Sequence, residues 1–217
     1  MRIAIISDIH GNFAALKSTF ECIRRESVDL TIFLGDLFGY YSQTVQCLEL
    51  LLKNKTLCVA GNHDLMAKKS SHENFQNIPS WVWNEIMTWP EEGRIETEFG
   101  NILFHHSSPN NDGRYIYPTT FPSDPSFNDK VGCKYLLLGH THHQMVRFYD
   151  SFTLINPGSI GQPRDIYGPH SSWALLDCEQ RLIRLKRSEY PLTDFLSANS
   201  KMFVEKPTNF KYFFRKL

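Results

Sequence analysis

The chain has 217 residues, 41% of them hydrophobic, with 23 Lys and Arg against 23 Asp and Glu. That length suits one full α/β domain, and the balanced charge leaves no global field for nucleic acid or an anionic membrane surface. The five cysteines, Cys22, Cys47, Cys58, Cys133 and Cys178, are odd in number and widely spaced, which fits reduced thiols better than a disulfide framework or a zinc knuckle. The chain opens as strand and not as a signal peptide, and no apolar run approaches the roughly 20 residues of a membrane span. The expectation is a soluble cytoplasmic protein.

Residues 3–6 are continuously apolar and mostly branched, as in a strand buried on both faces. Asp8 and His10 follow. In extended backbone side chains two apart point the same way, so both are expected to face one point beyond the strand. Gly11-Asn12 ends the strand, and Phe13, Leu16, Phe20 and Ile23 mark one face of a helix. Open α/β sheets keep their sites at such strand ends, although Asp-x-His alone reads more readily as turn chemistry.

Residues 29–34 form a second buried-strand pattern, ending in Gly35-Asp36. A helix over about 42–53 follows, with Val45, Leu48, Leu51 and Leu52 as its apolar face. Residues 56–60 read as a third strand running into Gly61-Asn62-His63-Asp64. One such ending is ordinary; three in succession converge on a site. Residues 65–92 are helical and irregular. Trp81, Trp83 and Trp89 there are expected to pack this excursion onto the domain, with the mouth of a cleft as the alternative. Residues 95–99 and 102–104 read as a hairpin that delivers His105-His106-Ser107-Ser108-Pro109.

Residues 110–130 have the length of a functional or mobile loop. A buried strand over 135–138 ends in Gly139-His140-Thr141-His142-His143. Strands at about 145–149, 152–155, 173–177 and 181–187 follow, interrupted by a Gly/Pro-rich turn from Asn156 to Arg164. Residues 188–217 are aromatic but weakly periodic and receive no role. No repeat, low-complexity segment or boundary appears, so residues 1–217 read as a single domain.

The strand ends collect Asp8, His10, Asp36, Asn62, His63, His106, His140 and His142. Imidazole suits Zn, Fe, Mn, Co or Ni, and carboxylate and amide oxygens favour the harder of these. The set exceeds what one tetrahedral zinc needs and suffices for two metals sharing a carboxylate, roughly 3.5–4 Å apart. Two divalent ions outweigh two Asp carboxylates and a bridging hydroxide, so such a site stays net positive and attracts a phosphate ester.

Asp8-x-His10, Gly35-Asp36, Gly61-Asn62-His63-Asp64, a His-bearing strand end and Gly139-His140-x-His142 occur in the order and spacing of the calcineurin-like metallophosphoesterase superfamily, which the chain resembles. Asn156-Pro157-Gly158-Ser159 through Gln162-Pro163-Arg164-Asp165, with Trp173-Ala174-Leu175-Leu176-Asp177 beyond, is similar to its small bacterial phosphodiesterase branch. The resemblance spans about residues 1–187. It implies a four-layer αββα sandwich of two mixed β-sheets flanked by helices.

It further implies that Asp8, His10 and His142 hold one metal and Asn62, His106 and His140 the other, with Asp36 bridging. His63 would be the histidine that faces the phosphate and assists the leaving oxygen. The family's His-Gly-Ser-Pro motif reads His106-Ser107-Ser108-Pro109 here, so His106 is expected in the site and His105, its neighbour on a strand, to face away. His143 departs from the pattern and is expected to support the site or face solvent. The protein Ser/Thr phosphatases would carry Asp-Arg-Gly soon after Gly-Asp. This chain has Leu37-Phe38-Gly39-Tyr40-Tyr41, which removes a phosphate-binding Arg and argues against phosphoprotein substrates. Arg164 and Arg114 are the substitutes, each also readable as a surface residue.

The expected activity is that of a dinuclear metal-dependent phosphodiesterase on small or nucleotide phosphate esters. A metal-bridging hydroxide would attack phosphorus and His63 would protonate the leaving alkoxide. Mn is the expected ion, with Fe, Zn, Co, Ni and Mg as alternatives. A dinucleoside-polyphosphate hydrolase and a general phosphomonoesterase are the runners-up. A non-catalytic protein-binding scaffold of the same fold is the rival from another class, and the presence of His63 speaks against it. Neither a membrane nor nucleic acid is an expected partner.

Overall fold

Strand β1 (Arg2–Ile6) lies between two apolar layers. Ile3 and Ile5 face a second sheet, whereas Ala4 and Ile6 face the helices. This double burial is why the run carries no polar alternation. A computed structural model describes residues 1–70, 78–109, 115–119, 132–166 and 169–205.

The first sheet has the order β10 (Leu182–Glu189), β9 (His170–Asp177), β1, β2 (Leu30–Phe33), β3 (Leu57–Cys58). Here β1, β2 and β3 run parallel, and β9 is antiparallel to both β1 and β10. The second sheet has the order β4 (Glu92–Ile95), β5 (Ile102–His105), β6 (Tyr135–Leu137), β8 (Thr153–Pro157), β7 (Gln144–Phe148). Its central strands β5, β6 and β8 are parallel, while β4 and β7 pair antiparallel at the edges. Both sheets are therefore mixed. Between them lies a layer that includes Ile3, Ile5, Ile32, Phe104, Leu137 and Ile155.

Helices α1 (Phe13–Ile23), α2 (Thr44–Lys53), α3 (Asn62–Lys69), α4 (Ser80–Met87) and α5 (Leu192–Glu205) flank this sandwich. Leu16, Phe20, Leu48, Leu51, Ile86 and Phe195 join Ala4 and Ile6 in one core. Ile116 packs with Leu136, Leu138 and Leu154 on the far side of the second sheet. No described helix is long and apolar enough to cross a membrane.

Several local expectations shift. On α2, Cys47 takes the buried position and Leu52 is 41% exposed, because Leu51 already points inward and the next residue is turned by about 100°. Strand β3 is two residues and not five, since it is a sheet edge that meets β2 only through Leu57 and Cys58. The hairpin pairs Glu92 to Ile95 with Ile102 to His105, leaving 96–101 as its turn. Trp83 and Trp89 are buried in the main core, while Trp81 is 39% exposed. Residues 188–205 acquire a place: Phe195 meets the Tyr41 ring edge-on at 4.8 Å, and Asn199 accepts the Ser42 backbone N–H at 3.0 Å. The C-terminal helix thus pins the turn that follows Asp36.

Candidate metal centre

The parallel strands of both sheets deliver their carboxyl ends to one place, and cross-bonds between the turns lock them together. Asp8 N–H donates to Gly35 O at 3.0 Å, His10 N–H to Asp36 O at 2.9 Å, and Gly161 N–H to Asp8 O at 2.9 Å. Gly139 N–H donates to His106 O at 2.9 Å.

Asp8 and His10 do converge, but not by strand alternation. Strand β1 has ended at Ile6, and both residues have left-handed backbone, with φ of 54° and 50°. Asp36, His140 and His142 share that conformation, at 65°, 68° and 61°. Five of the eight described non-glycine residues with positive φ are thus candidate ligands. Each costs on the order of 1 kcal/mol and persists only where surroundings over-determine it, as these interlocked turns do.

Three imidazoles are held in one tautomer. Nδ1 of His10 donates to Phe38 O, Nδ1 of His106 to Leu34 O and Nδ1 of His142 to Gln162 O, each at 2.7 Å. A carbonyl can only accept, so each Nδ1 carries a proton and, in the neutral ring, each Nε2 presents a lone pair. Those lone pairs meet other acceptors. His10 Nε2 lies 3.1 Å from His142 Nε2, His142 Nε2 lies 3.2 Å from Asp8 Oδ1, and His106 Nε2 lies 3.0 Å from Asn62 Oδ1. Asp36 Oδ2 stands between the two groups, 3.7 Å from His10 Nε2 and 3.3 Å from His106 Nε2. Asp8 Oδ1 and His140 Nε2 are buried without a hydrogen-bond partner among the described residues. With the three rings neutral, acceptors face acceptors, which is what a cation-binding site presents.

Ionisation makes His106 the exception, because the two carboxylates favour a second proton, on its Nε2. Burial opposes charge on His106, yet Asp36 and Asp8 outweigh it and raise its pKa to about 10. Burial takes His10 down to about 3 and His140 down to about 4. Asp8 and Asp36 are held below the ordinary carboxylate range despite burial, Asp8 chiefly by His142 and Asp36 by His106.

The structure groups Asp8, His10 and His142, then Asp8, Asp36 and His106, and also His10, Asp36 and His63, each set within 4.8 Å. His140 stands beside these sets, its ring 5.1 Å from that of His106. His63 donates its backbone N–H to Asp36 Oδ1 at 2.9 Å, and its ring lies 5.0 Å from His10. His106 faces the site; His105 turns Nδ1 toward Ser107. His143 bonds Thr141 O at 2.8 Å. Arg164 donates from Nη2 to the Tyr40 hydroxyl at 3.3 Å. Arg114 lies outside the described residues.

Six contributors carried no role in the sequence. Asp64 accepts four backbone N–H groups, from Gly61, Asp36, Leu37 and Phe38, at 2.8–3.1 Å. Burial and the Asp36 carboxylate push Asp64 up to about 7, against these N–H groups, which favour its charged form. Its signal was an acid at the third position of a helix, a capping-box place. Asn156 donates to Gly139 O at 2.7 Å, and Ser159 Oγ to Asp8 O at 2.8 Å, so the Asn-Pro-Gly-Ser turn buttresses two site turns. The Tyr40 ring lies 4.4 Å from His10 and 5.5 Å from His63. Tyr115, in the loop after β5, stacks on His140 at 3.9 Å. Gly39 has φ +144°, and any side chain there would run into Nδ1 of His10.

A family model described as a calcineurin-like phosphoesterase superfamily domain matches residues 1–181. The chain is 28% identical over 220 residues to the uncharacterized protein MJ0912 of Methanocaldococcus jannaschii, covering 88% of each. The crystal structure of a metallophosphoesterase from Sphaerobacter thermophilus superposes with a TM-score of 0.76 at 23% identity, over 99% of this chain and 98% of that one. A solved archaeal phosphodiesterase superposes with a TM-score of 0.58 at 17% identity, over 86% and 99%. The chain belongs to the metal-dependent calcineurin-like phosphoesterase superfamily and is a phosphoester hydrolase.

Proposed function

We propose that this protein is a dinuclear metal-dependent phosphodiesterase acting on small or nucleotide phosphate esters. The observation that carries it is the convergence on one place of Nε2 of His10, His106 and His142 with oxygens of Asp8, Asp36 and Asn62. Asp8, His10 and His142 would hold one metal, and Asn62, His106 and His140 the other. Asp36, whose Oδ2 lies within 4 Å of a histidine from each set, would be shared. The mixed nitrogen and oxygen donors suit Mn. Bound divalent ions would supply charge stabilisation for the phosphoryl oxygens and a nucleophile at neutral pH.

The chain's own residues do the rest. The carbonyls of Phe38, Leu34 and Gln162 fix the imidazoles, so no reorganisation is needed on loading. His63, whose ring no carbonyl among the described residues fixes in this way, is left to hold a proton for the leaving oxygen. The likeness to an archaeal phosphodiesterase supports a diester substrate.

Exhaustive chelation, followed by Mn, tests this reading on a panel of a diester, a monoester, 2′,3′-cyclic nucleotides and diadenosine polyphosphates. Activity should vanish on chelation and return with about two metals per chain, with a diester turned over fastest. Full activity in protein shown by elemental analysis to be metal-free would end the reading.

A further inference from the structure

Tyr40 lies in the turn after Asp36, with Gly39 before it and the buried Tyr41 after. Its ring is wedged between three histidines of the site, at 4.4 Å from His10, 5.5 Å from His63 and 6.3 Å from His142. Its hydroxyl accepts a hydrogen bond from Nη2 of Arg164 at 3.3 Å. A phenol that accepts from a guanidinium keeps its own proton to give, and the neighbouring cation strengthens that donor. Two donors therefore stand side by side at the rim of the site.

Arg164 is not carried there by a wandering surface loop. Its backbone N–H donates to His142 O at 3.1 Å, and two residues earlier Gln162 O receives Nδ1 of His142 at 2.7 Å. Asp165 is fastened in turn by Arg187, at 2.9 and 3.1 Å, and by the Gln144 N–H at 2.7 Å. The turn that orients His142 is thus also the turn that sets Arg164 beside Tyr40. Placing a guanidinium next to a group of metal ligands is unfavourable once that group carries cations, unless an anion lies between them.

We propose that Tyr40 and Arg164 form one anion clamp, which holds a non-bridging oxygen of the substrate's phosphoryl group while the strand-end residues hold the rest. This rests on the phosphoesterase reading for its substrate, but not for its measurement. The Tyr40 hydroxyl and the Arg164 guanidinium both donate, matching an oxygen that only accepts. His63, with its ring 5.5 Å from that of Tyr40, is then left for the leaving group.

The test is calorimetric binding of inorganic phosphate to Mn-loaded protein, with metal content measured, in wild type, Tyr40→Phe, Arg164→Gln and the double variant. Phe keeps the ring against the histidines and removes only the hydroxyl. Loss of one such hydrogen bond should weaken phosphate on the order of tenfold, and loss of the guanidinium by as much or more. The double variant should be little worse than Arg164→Gln alone, because the two act as a unit. On an ester substrate the change should fall mainly on KM. Phosphate binding within twofold of wild type in Tyr40→Phe, or no phosphate binding by wild type, overturns the clamp. So do losses that multiply in the double variant. If phosphate binding falls as stated but the Mn-loaded wild type hydrolyses no ester, the clamp stands and the phosphodiesterase reading fails. If hydrolysis is robust and indifferent to Tyr40→Phe, the reverse holds.

Discussion

The backbone N–H of Asp36 donates to the carboxylate of Asp64 at 2.8 Å, so the acid between the two histidine groups is held by a second, wholly buried acid. Asp64 also takes the N–H groups of Gly61, Leu37 and Phe38. One carboxylate thereby sets the turn that carries Asp36 and the turn that opens α3 with Asn62 and His63.

Asp64→Asn replaces one accepting oxygen by a donor that faces backbone N–H groups. A buried group left unsatisfied costs about 1–3 kcal/mol, and more than one would be. We expect a loss of roughly 3 kcal/mol, read as a fall in Tm of about 6–12 °C for a chain of this size. Weaker metal binding should accompany it, although Asp64 touches no metal in our assignment. A Tm within 2 °C of wild type would show that the four N–H groups find other partners.

Much of this arrangement was legible. The apolar run 3–6, buried on both faces, identifies a central strand, and the recurrence of Asp, Asn and His after successive runs locates the site. What escaped was conformation. Period-two reasoning assumes extended backbone, whereas Asp8, His10, Asp36, His140 and His142 are left-handed, a choice forced by tertiary bonds that no local pattern records. Tyr40 escaped because the aromatic cluster Phe38, Tyr40 and Tyr41 lies in a turn, where no periodicity says which ring faces the site. The α5 helix escaped because Phe195 and Asn199 serve a distant turn at Tyr41 and Ser42 rather than a regular helical face.

The two acidic candidates should behave differently on neutralisation. Asp36 Oδ2 is near both His10 and His106, whereas Asp8 Oδ1 sits closest to His142. Asp36→Asn is therefore expected to weaken both metal sites together and leave fewer than two ions per chain. Asp8→Asn should weaken mainly one. Elemental analysis after dialysis at fixed Mn distinguishes them. Two tightly held ions in Asp36→Asn would mean that the bridge is elsewhere.

Far from the site, Glu26 accepts Lys186 Nζ at 2.6 Å and lies 3.4 Å from Arg2 and 3.9 Å from Arg184. The Lys186 hydrogen bond, then the charges of these cations, hold its pKa below the ordinary glutamate value. A depressed carboxyl contributes stability above its unfolded pKa and loses it as pH falls through the folded one. Partly exposed pairs of this kind contribute at most about 1 kcal/mol. Glu26→Gln should thus lower Tm by about 2–4 °C at pH 7. The difference should shrink below roughly pH 4.3 and disappear in stronger acid. A gap that persists or widens under acid conditions contradicts the assignment.

His63 poses the sharpest question, because the geometry permits two answers. Its ring can join His10 and Asp36 within 4.8 Å as a third ligand set, or it can serve as the proton donor our reading assigns. Asn62 and His63 are adjacent at the start of α3, so their side chains diverge by about 100°, and Asn62 is the one beside His106. General-acid assistance is worth roughly 10²–10⁴-fold, and its value depends on the leaving group. An alkoxide needs the proton, whereas p-nitrophenolate is already a stable anion. His63→Gln is accordingly expected to keep both metals, lose most activity on esters of ordinary alcohols, and lose much less on p-nitrophenyl esters. Equal losses on both substrates with metals intact would assign His63 to phosphate binding. Loss of a metal would make it a ligand, and the ring nitrogen that we assign to the leaving oxygen would belong to the metal centre instead.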